Sequence, residues 1–170
     1  QAVAVRGGRV LAVGSEEEIR SLIAEHTEVV DLGGRTVLPG FTDPHVHLEM
    51  ASVALGLMTS IHSPPYRDIP SMLDALRAAC AERSPGEWVI GQGNLFHDMR
   101  LAEQRYPTRE ELDTVSTEHP VIVRMGAHVT VANSVALEKF GIGPDYEVPP
   151  GGVVFRDENG EPTGLFMEMY

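Results

Sequence analysis

The sequence predicts an α/β protein, in which a short β-rich segment precedes strands and helices that alternate along the chain. Within the first 40 residues, alternating apolar runs surround paired glycines, which is typical of β-hairpins. After Phe41, strand-like apolar runs alternate with helical patterns, as expected of parallel strands joined by crossover helices. We therefore expect two parts, residues 1–40 and residues 41–170, with an α/β barrel as the architecture of the second.

The first part is predicted to contain two hairpins and one short helix. Residues 2–14 alternate around Gly7-Gly8, and the apolar runs within residues 29–38 flank Gly33-Gly34. Between the hairpins, the stretch Ser15-Glu16-Glu17-Glu18 has the S-x-x-E spacing of a capping box, which opens a helix. No residue type or spacing in this part indicates catalysis or ligand binding, so we assign it a structural role.

The second part shows capping residues, apolar stripes and turn residues in alternation. A capping box begins at Thr108, and the continuous apolar run of residues 121–125 is typical of a strand buried on both faces. In chain order we predict a partly helical segment over residues 48–61; a helix with a core stripe of Ile69, Met72, Leu73, Leu76, Ala79 and Cys80; a strand at residues 88–91; a helix from Thr108; a strand at residues 121–125; a helix from Asn133 to Phe140; and a hairpin of residues 153–155 and 165–167 around Asn159-Gly160.

Composition excludes several classes of partner. A net charge of −12 argues against nucleic acid or an anionic membrane surface. Cys80 is the sole cysteine, so no intrachain disulfide is possible and a reducing compartment is the default. No apolar stretch approaches the roughly 20 residues of a membrane-spanning helix. We expect a cytoplasmic protein with a small-molecule substrate, and homo-oligomerisation stays open.

The stretch Asp43-Pro44-His45-Val46-His47 contains the residues best suited to chemistry. In an extended strand, residues i and i+2 point to the same side, so His45 and His47 can present two imidazoles to one point. Pro44 is tolerated only at the edge or end of a strand, which places the pair where a strand finishes. Neutral imidazole binds zinc and related divalent metals, although an H-x-H pair also occurs on surfaces and in cores.

The residues around this pair resemble a known signature. The stretch V-L-P-G-F-T-D-P-H-V-H-L is similar to the segment with which the metal-dependent amidohydrolase superfamily enters its barrel. The chain resembles in particular the amidohydrolase-3 type, the branch that contains N-substituted formamide deformylases. Five further segments, in order, show that resemblance: Ala2–Ser15, Pro107–Asp113, His119–Arg124, Gly126–Leu137 and Thr163–Glu168.

The resemblance implies an architecture and a length. It implies that residues 1–40 are part of a β-sandwich domain and that residues 41–170 begin a (β/α)8 TIM-like barrel with a family insertion. Such a barrel needs about 250 residues. We therefore expect the chain to be the first part of a larger protein, and the chain by itself to be inactive, because a second histidine pair and a late catalytic aspartate would lie further on.

The resemblance also implies a metal site. His45 and His47 would be ligands of one or two divalent ions, of which zinc is the expected identity. Asp43 would orient a ligand histidine from the second shell, or would only shape the turn. Glu168, in a T-G-x-x-x-E context, would be a bridging or terminal ligand where many relatives use a carboxylated lysine. The alternative for Glu168 is an exposed glutamate near the end of a strand.

Two further residues are implied at the substrate. By the resemblance, His128 would face the pocket as a catalytic residue that holds the substrate or its developing charge, and Asn133 would lie nearby as a second substrate-binding residue. A histidine after a strand can equally bond a loop backbone. The loop at residues 91–97 departs from the family pattern, which often has an aromatic residue and an acid after G-x-G. This departure leaves the substrate class open.

The function that these residues predict is metal-assisted hydrolysis of a C–N bond in a non-peptide amide or related compound. Water activated by the metal would attack the carbonyl carbon, and His128 would help to stabilise the oxyanion. Two alternatives remain. One is a catalytically silent relative that serves as a binding or assembly module, and the other is a deaminase or cyclic-amide hydrolase of the same superfamily.

Overall fold

The computed structural model describes residues 1–169, and contacts divide the chain into two compact units, Gln1–Pro44 and His45–Tyr170. In the first unit, β1 (Ala2–Arg6) and β2 (Arg9–Gly14) form an antiparallel hairpin. The turn between them uses positive φ angles of 57° and 74° at Gly7 and Gly8, which a glycine adopts without steric cost. The first predicted hairpin is confirmed.

The predicted helix start is also confirmed. The hydroxyl of Ser15 accepts from the amide of Glu18, and the Glu18 carboxylate accepts from the amide of Ser15, which completes a capping box. The helix that follows, α1, spans Glu16–Arg20. These bonds to Ser15 hold the pKa of the Glu18 carboxyl below its ordinary value.

The second predicted hairpin is wrong. A turn forms at Gly33-Gly34, and the amide of Arg35 donates to the carbonyl of Leu32, but the apolar runs on either side do not pair as strands. An isolated two-stranded hairpin is only marginally stable in water unless one face is buried. Val29 and Val30 are 61% and 66% exposed, so no buried face stabilises the pairing.

The strand expected to end at the histidine pair is wrong as well. Residues 37–47 contain no strand, and His47 instead precedes α2 (Leu48–Leu57) as its N-cap, with φ −97° and ψ 69°. Pro39 and Pro44 each remove a backbone donor that a sheet would need, which favours irregular backbone here. The two histidines therefore approach one another through a local bend rather than through the alternation of a strand.

The second unit contains one six-stranded sheet with the strand order β3-β4-β5-β6-β8-β7. Its elements after α2 are β3 (Thr59–Ser60), α3 (Ile69–Ala81), β4 (Val89–Gly93), a 3₁₀ turn (Asp98–Arg100), α4 (Arg109–Asp113), β5 (Val121–Met125), β6 (Val129–Ala132), α5 (Ser134–Phe140), β7 (Val153–Arg156) and β8 (Pro162–Met167). Among the helices within residues 1–169, none is long and apolar enough to cross a membrane.

The sheet is parallel in one half and antiparallel in the other. Strands β3, β4 and β5 run parallel, and α3 and α4 lie in the connections between them. Strands β6, β8 and β7 continue the sheet in antiparallel pairs. The α/β class is confirmed, with a mixed sheet; a β-sandwich at residues 1–40, a barrel and the domain limits stay predictions.

The main core lies between α3 and the parallel strands. All six residues of the predicted stripe on α3 are buried, from Ile69 to Cys80. Gly91 of β4 allows this close packing, because a Cβ atom there would lie 2.9 Å from the Ile61 side chain and 3.0 Å from that of Leu76. Burial raises the pKa of the Cys80 thiol, which keeps it protonated and inert.

Asn133 joins three segments of the second unit from a fully buried position. Its side-chain oxygen accepts from the amides of Val121 and Ala136, both at 2.9 Å. Its amide nitrogen donates to the carbonyls of Ser116 and His119, both at 3.0 Å. The cap of α5 is as predicted, and the same side chain also fixes the start of β5.

Replacement of Asn133 tests this arrangement. We expect Asn133→Ala to lower the free energy of unfolding by about 3 kcal/mol, because it removes a helix cap and leaves buried backbone groups unpaired. Asn133→Ser keeps an oxygen for the cap but lacks the amide donors, so its loss should be smaller. Urea unfolding followed by Trp88 fluorescence measures both, and equal stability of Asn133→Ala and the unchanged protein would contradict the assignment.

Candidate functional site

His45 and His47 converge, as the motif predicts. Their Nε2 atoms lie 3.1 Å apart, and the ring centroids are 5.0 Å apart at an interplanar angle of 53°. Zinc–nitrogen bonds of about 2.0–2.1 Å place two ligand nitrogens about 2.9 Å apart at a right angle and about 3.3 Å apart at the tetrahedral angle. The observed separation lies between these values, so the exposed pair fits two ligands of one divalent ion.

The histidine pair supplies two of the ligands that a metal ion would need. Within residues 1–169, no group of three or more His, Cys, Asp or Glu side chains is placed to hold a metal ion. The role of Glu168 as a bridging or terminal metal ligand stays a prediction. Asp43 belongs to the first compact unit, so its role beside the ligand histidines stays a prediction.

Glu168 instead contacts His128. Its Oε1 atom lies 2.8 Å from Nδ1 of His128, and its backbone amide donates to the carbonyl of His128 at 3.0 Å. The register of β6 and β8 explains this contact, because Val129 pairs with Met167. His128 precedes Val129 and Glu168 follows Met167, so these two residues lie opposite one another. The structure thus joins two residues that the sequence analysis had assigned to different roles.

Both side chains of this pair remain accessible. The side chain of His128 is 54% exposed and that of Glu168 is 44% exposed. His128 ends the turn between β5 and β6, and Glu168 directly follows β8. The pair therefore occupies one edge of the sheet.

Asn133 does not belong to this accessible edge. Its two lone pairs and two amide hydrogens all serve the backbone of the second unit, and the side chain has no exposure to solvent. A substrate would find no free polar group on it. These bonds give Asn133 a structural role, and its role as a substrate-binding residue stays a prediction.

The loop after β4 contains a buried histidine whose importance the sequence analysis missed. His97 is fully buried, and its Nδ1 atom accepts from the amide of Asn94 at 3.2 Å. Its Nε2 atom has no hydrogen-bond partner within the described part of the chain. The glycine at position 93 was the sequence signal for this close packing, because a Cβ atom there would lie 2.9 Å from Nδ1 of His97.

The environment of His97 disfavours its charged form. Burial is the largest cause that lowers its pKa, and the positive charges of His62 and Arg100 act in the same direction, whereas Asp98 opposes them. His97 is therefore neutral in the folded chain at neutral pH. Its hydrogen bond to the Asn94 amide stabilises the loop after β4.

The sequence of the chain is similar to those of several known proteins. The amidohydrolase family model matches residues 28–169. The N-substituted formamide deformylase of Arthrobacter pascens is 41% identical, over 99% of this chain and 31% of its own length. Protein LONG AFTER FAR-RED 3 of Arabidopsis thaliana is 32% identical, over 98% of this chain and 28% of its own length.

A further relative has a name that indicates a different reaction. The imidazolonepropionase of Alkaliphilus metalliredigens is 39% identical, over 74% of this chain and 35% of its own length. No solved structure matches the chain. The chain spans about a third of the length of the curated relatives it matches.

The buried His97 predicts a pH dependence of stability. Its pKa is lowered in the folded state from 6.5, so below that pH the unfolded chain binds a proton that the folded chain does not. Stability should therefore be complete above about pH 6.5 and fall as the pH decreases below it.

His97→Asn keeps an acceptor for the Asn94 amide but does not titrate. We expect this variant to lose part of the decrease in stability below about pH 6.5, because the histidine that titrates is removed. Denaturant unfolding at several pH values measures the slope, with exposed His26→Asn as the matched control. An unchanged slope in His97→Asn would contradict the assignment.

Proposed function

Because the chain belongs to the amidohydrolase family, we propose that it supplies part of the active site of a metal-dependent hydrolase that cleaves C–N bonds of non-peptide amides. The observation that supports this most directly is the 3.1 Å separation of the Nε2 atoms of His45 and His47. The chain spans only about a third of its relatives, so the reaction is proposed for the complete protein. We also propose that, in the complete protein, the parallel strands β3, β4 and β5 are part of a closed (β/α)8 barrel.

We assign the metal to the histidine pair. Amidohydrolases generally use a divalent metal, and two neutral imidazoles at this separation suit zinc. When bound, such an ion lowers the pKa of a water molecule and polarises a carbonyl group. The contribution of His45 and His47 is to fix the ion through two nitrogens on an exposed segment, and Asp43 is proposed to orient one of the rings.

N-substituted formamides are the proposed substrates. The deformylase relative is 41% identical over nearly all of this chain, and its name states that substrate class. The proposed role of His128 is to contact the amide from the exposed edge of the sheet. The partner is thus a small molecule, and we place the protein in the cytoplasm, in keeping with a single buried free thiol at Cys80.

A second candidate is hydrolysis of an imidazolone-type ring. The match to an imidazolonepropionase covers 74% of this chain and supports that alternative. Both candidates use the same metal pair and differ in the group that the substrate-binding loops accept. A comparison of substrates, rather than of metal content, separates them.

The metal assignment has a direct test. We expect the complete purified protein to contain close to one zinc or more per chain, and the His45→Ala/His47→Ala double variant to lose it, because two nitrogen ligands are removed together. Elemental analysis after dialysis gives the ratio, and His26→Ala is the control for loss of an unrelated exposed histidine. Unchanged metal in the double variant would refute the site. Absence of metal from the unchanged protein would favour the silent binding module.

The substrate assignment predicts the product. We expect the complete protein to release formate from N-substituted formamides, and we expect a chelator or the double variant to reduce the rate by at least about 100-fold, as loss of a metal site does. Enzymatic assay of formate measures the reaction. Turnover of an imidazolone substrate without formate release would favour the second candidate.

A further inference from the structure

We propose that Arg124 of β5 binds a carboxylate group of the substrate. The substrate class is then an amide that carries a carboxylate on its nitrogen substituent, as an N-formyl amino acid does. That class rests on the proposed function, whereas recognition of a carboxylate by Arg124 does not. The proposal is carried by the place of Arg124 in the sheet and by the surroundings of its guanidinium group.

Arg124 lies on the face of the sheet opposite α3. Val121 and Val123 belong to the main core beside α3, and side chains alternate between the two faces along a strand, so Arg124 shares the other face with Ile122. It is also the penultimate residue of β5, which runs parallel to β4. Ligands of α/β proteins bind at the carboxyl ends of parallel strands, so this side chain begins where a ligand is expected.

Polar residues form a row across four strands at this level of the sheet. The register pairs Ser60 with Gln92, Gln92 with Arg124, and Arg124 with Thr130. Residues paired in register are neighbours on one face. Two residues before Arg124 the same face is apolar, because Ile122 is buried in the second core cluster. The row therefore marks the level at which the apolar core ends and polar groups begin.

Arg124 supplies the charge of this row. The amide nitrogen of Gln92 donates to the carbonyls of Gly93 and Gly126 at 2.9 and 3.0 Å, so its hydrogens serve the backbone. The other two members of the row have neutral hydroxyl groups. A single guanidinium matches a carboxylate, whose two oxygens fit the planar fork and whose one charge it neutralises. A phosphate group would keep uncompensated negative charge here.

The other half-buried arginines have acceptors within the chain. Four arginines of the described chain are half-buried, and three of them donate to backbone carbonyls, namely Arg83, Arg109 and Arg156. Within residues 1–169, no ion pair or hydrogen bond joins the guanidinium of the fourth, Arg124, to another residue. A guanidinium partly withdrawn from water is stabilised by a charged acceptor, and two parallel N–H bonds to a carboxylate are among the strongest. We assign that acceptor to the substrate.

Binding of two compounds of equal size tests the assignment without turnover. N-methanesulfonylglycine ends in a carboxylate, N-methanesulfonylglycinamide ends in a neutral amide, and the sulfonamide bond of both resists hydrolysis. Calorimetric titration of the complete protein, as purified, measures the two dissociation constants. We expect the carboxylate to bind about 10- to 100-fold more tightly than the amide, as a charge-assisted hydrogen bond predicts.

Variants of the arginine identify the group responsible. We expect Arg124→Gln to bind the two compounds equally, because the charge is lost, and its unchanged affinity for the neutral amide shows that the variant is folded. Arg124→Lys keeps the charge without the planar fork and should be intermediate. Arg83→Gln is the matched control, because it removes a half-buried arginine that donates to the carbonyl of Ala79, and it should retain the full preference for the carboxylate.

The contrary results are equally specific. Equal dissociation constants of the two compounds in the unchanged protein would overturn the proposal, and so would a preference for the carboxylate that Arg124→Gln retains. If Arg124→Gln retains the preference and also melts at a lower temperature, Arg124 forms an ion pair within the complete protein instead. Formate release from N-formylglycine is measured separately. Its absence contradicts the proposed reaction and leaves the binding result intact, so the two proposals fail separately.

Discussion

The second unit depends on the position of β5, which is the strand where the sheet changes from parallel to antiparallel pairing. Its residues pair with parallel β4 on one side and with antiparallel β6 on the other. Val121 and Val123 are fully buried. A shift of β5 by one residue would move these side chains to the opposite face of the sheet, so their burial fixes the register of the strand. Asn133 fixes the start of this strand through the Val121 amide and links it to α5. The register of every later strand follows from that attachment.

This constraint separates the two groups of candidate residues by the kind of structure that supports them. His128 and Glu168 lie at the ends of paired strands, where the ladder fixes their backbones. His45 and His47 lie on irregular backbone before α2, and no residue of that helix is buried. Sites on regular elements are held more accurately than sites on loops. The histidine pair therefore gains most from a bound ion, which would hold two otherwise exposed rings in one geometry.

Local chemistry made much of the fold predictable. Capping boxes at Ser15 and Thr108, the cap at Asn133 and the apolar stripe of α3 each depend on residues within one or a few turns of each other. The wrong hairpin and the wrong strand have a tertiary cause, because residues 29–38 and 37–47 have the apolar pattern but no buried face to stabilise pairing. His97 was missed because burial of a histidine in a loop depends on packing that no periodicity records.

The same distinction applies to the site. The convergence of His45 and His47 needs only a separation of two residues, and a bend brings their rings together as well as a strand would. The contact between His128 and Glu168 spans 40 residues and depends on which strands are neighbours in the sheet. Motif resemblance identified both residues but could not show that they contact one another, because a sequence records the residue type and not its partner. The antiparallel register of β6 and β8 is the reason that these two residues, distant in the sequence, lie opposite one another.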